Sequence, residues 1–218
     1  GIITVSGGSL SYLLIRDEAN GGGSEVEDVT LTTDESLILY AAGYDADDNY
    51  LSDVNGTWST TGTLDAVSSS GTSIEFAPST SLTSGTISVG STGVTSDATG
   101  TITVGAGALD QIIILDGISG SIGSEVDILS LNTGQTQTMH MAGYDQDNNY
   151  IRDISVQWGV QGSIGTISTG TNFVTSTVFT ATTIGTGTVQ ADTSSFQDQT
   201  GIITVSGGSL SYLLIRDE

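Results

Sequence analysis

The sequence lacks several residue types, and each absence removes a class of explanation. There is no cysteine, so no disulfide forms and the redox compartment is not indicated. The chain has no lysine, three arginines and 25 acidic residues, which gives a formal net charge of −22. Such a field repels nucleic acid and anionic lipid. We therefore predict no nucleic-acid partner and no direct membrane insertion, and we expect cations to be the natural partner.

The scarcity of basic residues also bears on location. Without lysine, almost no trypsin-like cleavage sites remain, which suits a protein exposed outside the cell, although an acidic proteome gives the same bias. Charged residues are only 13% of the chain, so the sequence is not a disordered acidic tail. We predict a folded, extracellular or cell-surface protein.

The motifs of common enzymes are also missing. There is no glycine-rich phosphate loop and no nucleophile elbow, and His140 is the only histidine. We predict that the chain is not an enzyme and has no catalytic residues. His140 takes the place of Tyr40 in the internal repeat, and we expect it to point to solvent.

The internal repeat sets the domain organisation. Residues 1–18 return letter for letter as residues 201–218, and a looser repeat runs at an offset near 100. The predicted divisions are residues 1–5 as the last strand of a preceding module, 6–104 as module 1, 105–205 as module 2, and 206–218 as the first strand of a following module. Either a longer polypeptide repeats this unit, or separate chains complete one another's modules. The predicted partners are thus neighbouring copies of the same repeat, in a filament or a long tandem chain.

Short apolar runs separated by turn residues predict an all-β fold of antiparallel sandwiches. In module 1 we predict seven strands, near Leu10–Arg16, Val26–Thr32, Leu37–Ala42, Thr57–Thr60, Ser73–Phe76, Thr86–Val89 and Gly100–Val104. Residues 19–24 and 68–71 should form turns and bends. Because strand side chains alternate, Leu39, Ala41, Met139 and Met141 should face the core. Trp58 and Trp158 are predicted core residues, with sugar stacking as the less favoured role.

The most distinctive motif occurs twice, at residues 43–50 (GYDADDNY) and 143–150 (GYDQDNNY). Oxygen-bearing side chains occupy alternate positions: Asp45, Asp47 and Asn49, and again Asp145, Asp147 and Asn149. This is how a short loop wraps oxygen ligands around a hard cation, so we predict a Ca²⁺ site at each turn. In the alternative, Asp45 and Asp145 cap their own turns and the other acids are solvated.

With these residues in place, the sequence resembles the tandem bacterial Ig-like (Big) domains of adhesins, S-layer proteins and surface filaments. The resemblance is carried by residues 42–45 with Asn49, by Asp53-Val54 before Thr57-Trp58-Ser59, and by residues 100–104, with the same framework in module 2. It implies sandwiches of about seven antiparallel strands arranged end to end, no catalysis, a stalk or fibre role, and calcium at domain junctions in some members.

Calcium takes six to eight oxygens, more than one short loop supplies. Possible additional ligands are Asp17, Glu18, Glu25, Asp53, Asp116, Glu125, Asp127 and Asp153. We predict a structural extracellular repeat protein forming a calcium-stiffened stalk or filament. The alternative is a calcium-dependent carbohydrate- or surface-binding module.

Overall fold

The computed structural model describes residues 1–3, 7–117 and 122–208, and every regular element in these ranges is a β-strand. The chain divides into two compact units, Gly1–Gly107 (unit 1) and Ala108–Glu218 (unit 2). A search of the described residues finds no helix long and apolar enough to cross a membrane. The predicted all-β class is confirmed.

Unit 1 contains eleven strands in its described part. They are β1 (Tyr12–Arg16), β2 (Val29–Thr32), β3 (Leu37–Tyr44), β4 (Tyr50–Asp53), β5 (Gly56–Thr60), β6 (Ser68–Gly71), β7 (Ser73–Phe76), β8 (Thr83–Gly85), β9 (Ile87–Gly90), β10 (Asp97–Ala98) and β11 (Ile102–Gly105). One layer has the order β1-β3-β4 with β7 also on β3. The facing layer consists of β10-β9-β5-β6 and β2-β11-β8.

Unit 2 repeats this plan. Its described strands are β12 (Gln111–Leu115), β13 (Leu129–Asn132), β14 (Thr136–Tyr144), β15 (Tyr150–Asp153), β16 (Val156–Gln161), β17 (Gly165–Ile167), β18 (Phe173–Val174), β19 (Ser176–Ala181), β20 (Gly185–Asp192), β21 (Gln197–Gln199) and β22 (Ile203–Ser206). One sheet has the order β12-β14-β19-β17 with β15 on β14, and the other has the order β13-β22-β20-β16-β18 with β21 on β20.

Each unit encloses one apolar core between its two layers. In unit 1 the core joins side chains of β1, β3 and β7 to those of β5, β9 and β11, with Trp58 1% exposed. In unit 2 Trp158 has the same place. Leu39, Ala41, Met139 and Met141 are each 0% exposed, so the predicted orientation of this strand is confirmed. Two facing sheet layers around one core give each unit the architecture of an Ig-like sandwich.

Four features differ from the sequence-based expectation. Unit 1 has eleven described strands where seven were predicted, and the additional ones are the short strands β4, β6, β8 and β10. Residues 68–71 are not a turn but strand β6, which pairs with β5 from Gly56↔Gly71 to Ser59↔Ser68. β2 runs parallel to β11, and β13 parallel to β22, within otherwise antiparallel sheets. His140 is half-buried rather than solvent-directed, and its buried Nδ1 has no hydrogen-bond partner among the described residues.

The predicted terminal strands fall partly outside the described residues. Residues 4 and 5 of the segment 1–5 are not described, nor are residues 209–218 of the segment 206–218. In the described part of the first segment, Ile2 and Ile3 are 96% and 91% exposed and belong to no strand. The assignment of both segments to neighbouring modules stays a prediction.

Candidate site at the acidic turns

The first acidic turn connects β3 to β4. Asp45 follows the last residue of β3 and Tyr50 opens β4, with a register shift between Gly43 and Tyr44. The turn closes through two backbone hydrogen bonds: Asp45 N donates to Asn49 O (3.1 Å) and Asp48 N donates to Asp45 O (3.3 Å). Asp48 takes a left-handed φ of 62°, a conformation that aspartate tolerates better than most residues. This conformation turns the backbone N–H groups of the loop inward.

The Asp45 carboxylate receives these N–H groups. Its Oδ1 accepts from Asp47 N (3.0 Å) and Asn49 N (2.9 Å), and Asn49 Nδ2 donates to Oδ1 and Oδ2 (3.1 and 3.0 Å). Oδ2 also accepts from Gly8 N at 2.7 Å, which ties the segment that precedes β1 to the turn. Asp45 is 2% exposed. Both of its oxygens therefore act as acceptors in a closed hydrogen-bonded turn.

These donors explain the acidity of Asp45. The N–H of Gly8, together with the backbone and side chain of Asn49, lowers the pKa of Asp45 from 3.8 to about 2, because each donor stabilises the charged form.

The second turn is built in the same way. Asp145 is 0% exposed, and its Oδ1 accepts from Asp147 N (3.1 Å) and Asn149 N (2.7 Å). Asn149 Nδ2 again donates to both oxygens, at 3.1 and 3.0 Å. Asn148 has a φ of 65°, as Asp48 does in unit 1. The two turns thus share one geometry despite their different sequences.

Tyrosines surround the first turn. Tyr12 stacks on Tyr44 with ring centroids 5.4 Å apart, and Tyr44 meets Tyr50 edge to face at 5.9 Å.

Two of these tyrosines also donate hydrogen bonds to acids near the turn. Tyr12 OH donates to Asp48 Oδ1 (2.7 Å), and this bond raises the pKa of Tyr12 to about 12. Tyr50 OH donates to Asp53 Oδ1 (3.0 Å), and burial followed by this bond raises the pKa of Tyr50. In unit 2, Tyr150 OH donates to Asp153 Oδ1 at the same distance of 3.0 Å.

The strand register separates some of the predicted additional ligands from the turns. β1 pairs with β3 from Tyr12↔Tyr44 to Arg16↔Tyr40, so Asp17 and Glu18 follow the end of β1 that lies away from Asp45. The same register places Asp116 away from Asp145 in unit 2. Within a unit, these acids are therefore not brought to the turn.

Several of the predicted additional ligands accept backbone N–H groups from their own surroundings. Asp17 Oδ1 accepts from Ser24 N (2.6 Å), Asp116 Oδ1 from Ser124 N (2.8 Å), and Asp53 Oδ2 from Asn20 N (3.0 Å). Glu18, Glu25, Glu125 and Asp127 are exposed. Among the described residues, no group of three or more His, Cys, Asp or Glu side chains is arranged to hold a metal ion.

Sequence reasoning missed the role of Arg16. Its guanidinium donates to the carbonyls of Gly21 (3.3 Å), Gly22 (3.1 Å) and Gly23 (2.9 Å), so the turn after β1 wraps around it. In unit 2 the equivalent residue is Leu115, which is 3% exposed and lies opposite His140. The signal available in the sequence was the cluster of glycines a few residues after one of only three arginines.

Comparison with known proteins gives structural similarity only. No family profile matches the chain, and no curated protein matches it. The chain is similar to the S-layer protein rSbsC(31-844), with 16% identity and a TM-score of 0.38, over 94% of this chain and 29% of that one. It is similar to the Escherichia coli adhesin FdeC, with 15% identity and a TM-score of 0.39, over 95% and 68% of the two chains. It is also similar to Drosophila OTK extracellular domains 3–5, with 11% identity and a TM-score of 0.39, over 91% of this chain and 68% of that one.

The chain spans less than a third of the length of the S-layer protein that it matches. At these TM-scores the similarities carry no argument about function. The functional interpretation rests on the geometry of the two units.

Proposed function

We propose that this chain is a structural repeat protein of the cell surface or extracellular space, whose Ig-like modules follow one another in a stalk, adhesin shaft or filament. Its partners are neighbouring copies of the same repeat, and it has no catalytic role. The observation that carries the proposal is the 2.7 Å hydrogen bond from Gly8 N to Asp45 Oδ2, by which the acidic turn of unit 1 holds the glycine-containing segment at the start of module 1.

This contact favours a load-bearing array for a physical reason. Two small modules joined by a glycine-rich segment pivot freely by default, because little apolar area is buried between them. A charge-assisted hydrogen bond from the segment to a buried carboxylate removes part of that freedom. Gly8 lies so close that a Cβ would be 3.2 Å from both Cβ and Oδ2 of Asp45, and a Cβ on Gly7 would be 2.5 Å from Leu51 Cδ2. Glycines at these positions therefore permit the segment to lie against the module.

Electron microscopy of the native protein tests the proposed function. We expect fibres with an axial repeat on the order of 80 Å for each 200 residues, since two sandwiches each about a dozen strand residues long would span that distance. A monodisperse globule retained by a sugar column would contradict the proposal and favour the carbohydrate-binding alternative.

Calcium stiffening is the finer part of the proposal. Both Asp45 oxygens accept N–H groups in this arrangement, so an ion bound at Asp45 would have to displace some of these donors. Ca²⁺ binding therefore stays a prediction, and its test compares melting temperature and fibre curvature in excess Ca²⁺ and in EGTA. A change that disappears in the Asp45→Asn variant would support calcium; identical values in both buffers would leave the hydrogen bonds as the only means of holding the turn.

The depressed pKa of Asp45 predicts a pH dependence. A carboxyl whose pKa is about 2 in the folded state and 3.8 in the unfolded state stabilises the fold above pH 3.8, and this contribution is lost as the pH falls toward 2. We expect the difference in melting temperature between the wild type and Asp45→Asn to be constant from pH 7 to 5 and to shrink between about pH 4 and 2. Thermal unfolding of both proteins across this range measures it, and a difference that persists unchanged at pH 2 would contradict the assignment.

A further inference from the structure

One sheet face of unit 2 is rich in glutamine. The chain has nine glutamines, and all of them lie between residues 111 and 199. Five point away from the core, because residues that alternate with them or lie opposite those residues, such as Trp158, Val189 and Ala191, are buried. They occupy β16, β20 and β21 and form what we call the glutamine face: Gln157, Gln161, Gln190, Gln197 and Gln199. More than half of the glutamines are therefore collected on one surface of one unit.

An exposed aromatic ring lies at one end of this face. A row of four side chains crosses β18, β16, β20 and β21 in register: Phe173, Gln157, Asp192 and Gln197. Phe173 is 60% exposed. The row covers three spacings between neighbouring strands, which makes it about 14 Å long. An apolar ring and three polar side chains thus lie in line on one surface.

The surface is concave beside this row. A depression of about 310 Å³ is lined by Gln190, Asp192, Gln197, Asp198 and Gln199. Gly159 lets the Gln190 side chain lie across the sheet, since a Cβ at Gly159 would be 3.2 Å from Gln190 Cγ. Gln161 Nε2 donates to Gln190 Oε1 at 2.7 Å, and this bond orients the Gln190 carboxamide. A concave surface that combines an aromatic ring with a few oriented polar groups is typical of a small-molecule site.

Unit 1 has the same strand pairing without these side chains. The corresponding row in unit 1 begins with Ser70, Thr57 and Gly90. Small residues therefore form the same pairs, so the sheet itself does not require a phenylalanine, a carboxamide or a carboxylate at these positions. The larger side chains of unit 2 need a reason other than the fold.

The chemistry of the glutamine face favours a neutral ligand that is rich in hydroxyl groups. Each carboxamide both donates and accepts hydrogen bonds, as a hydroxyl group does. The net charge of −22 repels an anionic ligand, and a second copy of the same face would oppose carboxylate to carboxylate. Asp192 is the one carboxylate of the row, and Asp198 accepts from Ile114 N (2.6 Å) instead. The exposed ring of Phe173 offers an apolar surface on which the C–H groups of a sugar ring can pack.

We propose that the glutamine face of unit 2 binds a neutral oligosaccharide. One sugar ring packs on Phe173, and hydroxyl groups of the following sugars exchange hydrogen bonds with Gln157, Asp192 and Gln197. An oligosaccharide fits better than a single sugar because the row is about 14 Å long. This site goes beyond the proposed structural function and requires neither calcium nor a fibre, since no residue of the acidic turns takes part in it.

Binding of the intact 218-residue chain to immobilised oligosaccharides tests the site. The probes are neutral gluco-, manno-, galacto- and xylo-oligosaccharides, with oligosaccharides of uronic acids as the charged comparison. We expect binding to a neutral probe, with the same affinity in Ca²⁺ and in EGTA. Phe173→Ser introduces the side chain that unit 1 has at this position and should weaken binding about tenfold or more, whereas Phe173→Tyr keeps the ring and should retain it.

Two further variants separate binding from folding. Gln197→Ala, at the other end of the row, should also weaken binding, while Thr57→Ala, at the matching position of unit 1, should not. Phe173, Gln197 and Thr57 are all exposed, so each variant should keep the melting temperature of the wild type.

Several results would overturn the proposal. They are the absence of binding to every neutral probe, unchanged binding by Phe173→Ser, a preference for the uronic-acid oligosaccharides, and binding that requires Ca²⁺. Lateral association of chains that disappears in Phe173→Ser while oligosaccharide binding is unchanged would assign the face to a second copy instead. Fibres formed by a chain that binds none of the probes would reject this site and leave the structural function standing.

Discussion

Replacing Asp45 with alanine is expected to lower the melting temperature of unit 1 by on the order of 10 °C, whereas Asp47→Ala changes it by about 2 °C or less. Asp45 is buried and accepts hydrogen bonds from Gly8, Asp47 and Asn49, so its removal leaves several donors without an acceptor. Asp47 is exposed, and the N–H that it contributes is retained by alanine. Thermal unfolding of both variants, followed by the fluorescence of Trp58 in a Trp158→Phe background, measures the difference.

This pair of variants separates the two interpretations of the acidic turn. If the turn holds calcium, Asp45 and Asp47 are both ligands, and each substitution should matter only when Ca²⁺ is present. If Asp45 caps the turn, the large effect of Asp45→Ala persists in EGTA and Asp47→Ala stays mild. Asp145→Ala and Asp147→Ala provide the matched pair in unit 2, where the bonds to Asp145 have the same arrangement. Equal losses for both members of a pair, seen only with Ca²⁺, would contradict the capping interpretation.

The apolar strands were predictable from the sequence because their side chains alternate. Leu39 and Ala41 face the core while Ile38 is 48% exposed, and this orientation was predictable because the second module keeps apolar residues only at the positions of Leu39 and Ala41. Strand β6 was not predictable in this way, since Ser68, Ser69, Ser70 and Gly71 carry no apolar side chain. It is a strand because the backbone of β5 offers it hydrogen-bonding partners and because Trp58 Nε1 donates to Gly71 O (3.0 Å).

The sequence limits the acidic turn to two interpretations, but it does not decide between them. Alternating oxygens at positions 45, 47 and 49 are compatible with a cation site and with a side-chain-capped turn. The direction of the N–H groups distinguishes the two, and it depends on the left-handed φ of Asp48. It also depends on Gly8, which is far away in sequence but donates to Asp45. Neither contact follows from the spacing of the acids.

The same use of carboxylates extends beyond the turns. Asp97 Oδ2 accepts from Ile15 N and Asp198 Oδ2 from Ile114 N, each at 2.6 Å, and Asp28 Oδ1 accepts from Thr101 N at 2.7 Å. Each bond ties together segments distant in sequence. Much of the acidity of this chain therefore has a structural use, because a carboxylate can accept several backbone N–H groups where strands end and turns begin.

The second large effect is expected in the core. Trp58→Ala should reduce the free energy of unfolding of unit 1 by about 3–5 kcal/mol, a large share of the roughly 5–15 kcal/mol that holds a domain of this size folded. Trp58 is 1% exposed within the apolar cluster that joins both layers, and its Nε1 bond to Gly71 O fastens β6 to β5. Urea unfolding with circular dichroism measures the loss, while Trp158 fluorescence follows unit 2 separately.

Three control variants test whether lost core packing causes the loss of stability in Trp58→Ala. Trp58→Phe keeps most of the buried ring and should lose about half as much stability or less, because it removes the Nε1 bond and only part of the volume. Thr57→Ala changes an exposed neighbour on the same strand and should have little effect. Trp158→Ala should reproduce the loss in unit 2, where Nε1 donates to Val174 O at 3.2 Å. A Trp58→Ala chain that keeps full stability but loses affinity for a sugar would contradict a core role, because stacking on a ligand requires an indole that is accessible from solvent.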